Sequence, residues 1–162
     1  MRLLRHLFAP GTRRLFAADA LERIAQAIHA AESRHTGEVR FAVESALHPR
    51  AVLAGVTARA RAQDVFAQLR VWDTRANNGV LLYLLLADHR IEIVADRGFQ
   101  GLVSPEQWRG ACQLVEERLR AGEALEAVLQ GVAALSALVE AHFPRDADYV
   151  DENELPDEPH VF

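Results

Sequence analysis

Apolar and polar residues change rhythm several times along the chain, and each change marks an expected element. Leu21, Ile24, Ala25 and Ile28 recur at helical spacing around Asp19-x-x-Glu22, which has the form of a capping box. That helix is expected to end near Thr36-Gly37, glycine being the common residue just past a helix C-terminus. From 38 to 44 the period shortens to two. Val39, Phe41 and Val43 face one way and Glu38, Arg40 and Glu44 the other, as in a strand with one wetter face. After the His48-Pro49 break, Thr57 is placed to cap a helix that buries Ala62, Val65, Phe66 and Leu69. A polar loop over 73–79 leads into the continuous apolar run 80–86, the pattern of a central strand covered on both faces. Asp88-His89 supplies a turn, and 90–95 reads as the returning strand of a hairpin.

Ser104-Pro105-Glu106-Gln107 opens the next helix with a serine cap, proline at the first position and glutamine three residues after the cap. Its apolar face is Trp108, Ala111, Cys112, Val115 and Leu119, and Ala121-Gly122 ends it. Leu125, Val128, Leu129, Val132, Leu135 and Val139 mark a last helix, closing before Phe143-Pro144. The order α-β-α-β-β-α-α contains one βαβ crossover, expected to be right-handed, followed by a β-hairpin. The expected fold class is α/β: a three-layer α/β/α sandwich around a small mixed sheet. In this topology the starts of the two parallel strands and the end of the third share one sheet edge. That edge collects Gly37, Glu38, the 73–79 loop and Asp96-Arg97-Gly98, with Trp72 read as a packing anchor for the loop.

Length and charge refine the picture. The 162 residues, half of them apolar, suit one domain with a sizeable core. The chain divides into a basic amphipathic arm (1–18), the α/β domain (19–144) and an acidic, flexible tail (145–162). Of the net charge of −5, residues 1–14 hold four arginines, whereas 145–162 carry seven carboxylates against Arg145. With no basic stripe on the body, a nucleic-acid partner is not expected. The lone Cys112 excludes an intramolecular disulfide and reads as a small buried hydrophobe. The longest apolar run, 80–87, is too short to span a bilayer, and no secretory h-region follows the charged start. The expected location is the cytoplasm, peripheral to the inner membrane if the arm lies on anionic lipid through Leu3, Leu4, Leu7 and Phe8.

Candidate chemistry gathers at the polar edge. Asp73, Asn77, Asp96 and Glu38 are hard oxygen donors suited to Ca²⁺ or Mg²⁺. Arg97 with Asn78 makes a candidate anion site, because a guanidinium fork matches phosphate and carboxylate. The competing reading is turn chemistry, in which these side chains bond nearby backbone amides. No G-x-S-x-G elbow, Walker loop or H-E-x-x-H helix is present.

Asn77-Asn78-Gly79-Val80-Leu81-Leu82, the Asp88-His89-Arg90 turn, Ile91-Glu92-Ile93, the Gly98/Gly101 pair and Thr36-Gly37-Glu38-Val39 together resemble the core of the TPM domain family, over roughly residues 19–144. The resemblance implies an α/β/α sandwich and a role in the assembly or repair of membrane complexes. It also implies, for some members, Ca²⁺ binding or weak acid phosphatase activity. By position, the family's polar edge falls on Asp73, Asn77, Asn78, Asp96 and Arg97. Ser104 stands where many members have an acidic residue, and Phe99-Gln100 where Leu-Glu is frequent, so two carboxylates are missing. The expected function is therefore a non-catalytic accessory module with a protein partner. The alternative is a metal-dependent phosphatase working at Asp73 and Asp96.

Overall fold

The computed structural model describes residues 1–148, 150 and 153–162. Its sheet has four strands in the order β3-β2-β1-β4, namely β1 Glu38–Glu44, β2 Gly79–Leu85, β3 Arg90–Ala95 and β4 His160–Val161. β1 and β2 run parallel, Glu38 opposite Gly79 and Glu44 opposite Leu85. β2 and β3 form the antiparallel hairpin, closed by a tight turn over Leu86–Asp88 and by His89 at φ +50°.

Side chains of β2 alternate between two cores, which is why its sequence is apolar without a break. Val80, Leu82 and Leu84 join Val39, Phe41 and Val43 beneath α3 (Ala18–Glu32), α6 (Pro105–Arg120) and α7 (Ala124–His142). Leu81, Tyr83 and Leu85 join Ala42, Ala62 and Val65 beneath α4 (Pro49–Leu53) and α5 (Ala58–Gln68). Each fully buried leucine here contributes roughly 2–3 kcal/mol relative to its exposed state. The expected α/β/α sandwich, crossover and hairpin are all present. The Ser104–Gln107 capping box forms with both of its hydrogen bonds, and the Thr57 hydroxyl accepts from the Ala60 amide.

Several local expectations are overturned. Asp19 does not cap α3: the cap position is Ala17, and Asp19 lies in the first turn, where it faces the positive end of the helix dipole. α3 also stops at Glu32, short of Gly37. Gly37 is needed for closeness instead, since a Cβ there would lie 2.5 Å from Val139 Cγ1. The wetter face of β1 is covered as well. Arg61 donates to Glu44 at 2.8 Å, the Tyr83 hydroxyl donates to the same carboxylate at 2.7 Å, and Arg40 is buried. Although α7 is long and apolar enough to cross a membrane, Val128, Val132, Leu135 and Val139 lie in the sandwich core.

The two ends differ most from expectation. The described part of the acidic tail is docked: Leu155 is buried, His29 meets Asp157 at 2.9 Å, and His160–Val161 pair with Ala42 and Val43. Glu38 holds this segment, accepting from the Glu154 and Leu155 amides at 3.1 and 3.2 Å. Burial beside these acidic neighbours pushes Glu32 up to about 9 and Glu38 up to about 7. Tyr149, Asp151 and Glu152, part of the expected flexible tail, lie outside the described residues.

The basic arm folds into α1 (Arg2–Leu7) and α2 (Thr12–Leu15), and α1 docks through polar groups and through Leu3, which packs on the core beneath α4 and α5 instead of facing outward with Leu4, Leu7 and Phe8. Arg2 donates to Asp88 through Nε and Nη2, the shortest bond being 2.7 Å. His6, whose side chain is wholly buried, accepts the Leu47 amide at Nδ1 and places Nε2 3.1 Å from Asp88 Oδ1. Leu4, Leu7 and Phe8 are left facing out.

Candidate functional site

The polar edge is organised by the 73–79 loop and the turn after β3. Asn77 takes a left-handed conformation, φ +53°, which asparagine tolerates better than most residues. This lets its carbonyl accept the Gly98 amide at 2.9 Å while its side-chain Oδ1 accepts Arg97 Nε, also at 2.9 Å. A Cβ on Gly98 would sit 2.4 Å from the Asn77 carbonyl oxygen, so only glycine permits the approach. Asp96 donates its backbone N–H to Gly79 and caps the Arg97–Phe99 turn, its Oδ1 accepting the Arg97 amide at 2.8 Å. Asn77, Asp96 and Arg97 are thus brought together, as topology required.

The other candidates go elsewhere. Asp73 is exposed and pairs with Arg70 at 3.0 Å. Trp72 is half-exposed with the Arg70 guanidinium over its ring, so it is not the packing anchor expected. Asn78 is fully buried and structural: its amide donates to Thr74 Oγ1 and its Nδ2 to the Thr36 carbonyl, tying the loop to the start of β1. Glu38 turns toward the C-terminal segment. Glu154 then accepts the Arg75 amide, so the segment also braces the loop, a contact that no local sequence signal announced.

Two oxygens at the edge, Asp96 Oδ2 and Asn78 Oδ1, are buried without a partner among the described residues. They do not make a fit for Ca²⁺ or Mg²⁺. Asn77 Oδ1 is taken by the Arg97 guanidinium and Asp96 Oδ1 by the Arg97 backbone amide, and Asp73 and Glu38 are engaged away from them. Among the described residues no three His, Cys, Asp or Glu side chains form a metal-holding group. What the edge does offer is a broad cavity of about 790 Å³, where Asp96 and Arg97 meet Phe99, Trp108 and Arg59 beside the N-terminus of α6. Cys112, on α6, is half-buried, and burial pushes its thiol up to about 11, well away from a reactive thiolate.

Comparison with known proteins decides the family. The model of the TPM domain matches residues 12–138. The chain belongs to the TPM domain family. Among solved structures, this TPM domain is similar to the BA42 protein of the psychrophilic bacterium Bizionia argentinensis, with 26% identity and a TM-score of 0.79, covering 91% of this chain and 95% of that one. It also shares its fold with the N-terminal domain of a protein from P. gingivalis, at 19% identity and a TM-score of 0.64, with 82% of each chain covered. No curated protein sequence matches it.

Proposed function

We propose that this TPM domain is a non-catalytic interaction module serving a membrane-associated assembly in the cytoplasm, and that residues 1–14 meet the anionic bilayer surface. One observation carries the reading: α1 docks by Arg2, His6 and Leu3 and leaves the rest of its apolar surface uncovered. A terminal helix that served only the fold would bury all its leucines. Here Arg2 and His6 hold the body, whereas Leu4 and Leu7 are each 54% exposed and Phe8 80%. Arg5, Arg13, Arg14 and Leu15 are exposed on the same arm, giving the mixture of apolar and cationic side chains that interfacial segments use. The Asp96–Arg97 cavity is left for the protein partner, with Arg97 suited to a carboxylate.

Flotation with anionic vesicles tests the membrane contact. Intact protein is expected to float at low salt and to lose at least tenfold in partitioning when Leu4 and Phe8 are both changed to Asp. Absence of flotation at low salt, or equal flotation of the variant, removes the bilayer from the proposal.

The metal-dependent phosphatase alternative rests on the unpartnered Asp96 Oδ2. The Arg97 guanidinium, held on Asn77 Oδ1, brings positive charge to the same edge and disfavours a cation by like charge. Titration with millimolar Ca²⁺ and Mg²⁺, followed by NMR, is expected to give no saturable shift at Asp96 or Asn77. A saturable shift, with phosphatase turnover lost in Asp96→Ala, reverses the order of the two readings.

A further inference from the structure

The apolar side of the arm does not project into empty space along its whole length. Leu4, Phe8 and Leu15 form one wall of a groove of about 610 Å³, whose other side is Leu84, Leu86 and Leu119 of the body. That volume falls within the roughly 300–1,000 Å³ of small-molecule sites. Directly alongside lies a second cavity, of about 590 Å³, lined by Arg2, Arg5, Arg59 and Arg90 with Thr57, Asp88 and Glu92. Asp88 is engaged by Arg2 and His6, and Glu92 stands 3.7 Å from Arg59. Arg5 and Arg90 are exposed, and among the described residues their side chains have no ion pair or hydrogen bond.

The hairpin turn divides the two cavities. His89 lies on the apolar one, Asp88 and Arg90 on the charged one, and Arg5 lines both. A hydrophobic trough opening onto a hollow with cationic excess is complementary to one kind of molecule. We infer that the protein binds a single-chain anionic amphiphile, its acyl chain in the groove and its carboxylate or phosphate head at Arg5 and Arg90. The concave trough accepts a chain between the arm and the body, whereas a bilayer would meet the outward side of Leu4, Leu7 and Phe8. A guanidinium pair matches both head groups. The inference rests on the membrane-facing reading of the arm and deepens it, naming the lipid chemistry that the same face recognises.

Calorimetry with the full chain separates the two proposals, because it uses monomeric ligands and no bilayer. Fatty acids of eight, ten and twelve carbons, each below its micellar concentration, are expected to bind with Kd falling about fourfold per methylene. A twelve-carbon alcohol, with the same chain and no charge, is expected to bind at least tenfold more weakly. The exposed positions make variants safe for folding: Leu15→Asp is expected to flatten the chain-length dependence, and Arg5→Ala/Arg90→Ala to bring the acid down to the level of the alcohol. A phosphate-headed lysolipid of equal chain length tells the two head groups apart; tighter binding of either class supports the site. Absence of chain-length dependence, or unchanged binding in both variants, overturns it. If no amphiphile binds while vesicles still float the protein, the groove ligand falls and the surface contact stands.

Discussion

Gly79→Ala is expected to leave little folded protein. A Cβ at this position would lie 2.0 Å from the Val71 carbonyl oxygen and 3.0 Å from Val71 Cγ1. Neither neighbour can yield cheaply. Val71 is fully buried and its amide donates to the Phe66 carbonyl, while Gly79 starts β2 opposite Glu38 and accepts the Asp96 amide. Moving β2 aside would open the parallel pair at its first residue and unseat the Asp96–Arg97 turn together. Overpacking of this kind costs more than about 3 kcal/mol, against a total stability of roughly 5–15 kcal/mol for an ordinary domain. Urea unfolding of any soluble variant measures it. A midpoint within a few tenths molar of the parent would show that the loop gives way without loss.

Asp88→Ala is expected to cost about 3 kcal/mol and to release the arm. The carboxylate joins Arg2 and His6, so its removal leaves a buried imidazole and a half-buried guanidinium without their shared partner. Burial opposes the charge on Asp88, but hydrogen bonds from Arg2 and His6 outweigh it and hold the carboxyl below its ordinary value. A carboxyl with a depressed folded-state value stabilises above the unfolded-state value, near 3.9, and loses that contribution as pH falls through the folded one. The parent should therefore show an acid-dependent loss of arm docking below about pH 4 that the alanine variant lacks. Limited trypsin digestion reads the release directly, through faster cleavage after Arg5, Arg13 and Arg14. Unchanged cleavage and stability would mean that Leu3 and its neighbours hold the arm without the ion pair.

The features legible in the sequence were those written by local physics. Alternation named β1 to the residue, the unbroken apolar run named the strand shared by two cores, and Ser104 with Gln107 announced a cap that is present. Topology then brought Asn77, Asp96 and Arg97 together without help from any motif. What escaped depends on distant partners. Glu38 has the form of a solvated strand residue until amides 116 and 117 positions away reach it. The acidic tail looked unable to bury anything because its attachment consists of two strand residues, one leucine and the grip of Glu38. Spacing also groups Leu3 with Leu4, Leu7 and Phe8 on the lipid-facing side, and only a tertiary contact, Leu3 against the core beneath α4 and α5, sets it apart.

The short strand β4 has a bearing on how copies of this protein avoid one another. β1, with Val39, Phe41 and Val43, would otherwise present an open edge, the kind of surface on which strands of separate molecules add and aggregate. His160–Val161 and the Phe162 amide, which donates to the Val43 carbonyl, occupy the Ala42–Val43 end of that edge from within. The same segment brings Glu154, Asp157 and Glu158 beside β1, so a second chain approaching there meets both a taken position and repulsion of like charge. Two residues of ladder are enough for this because the guard is chemical as well as steric.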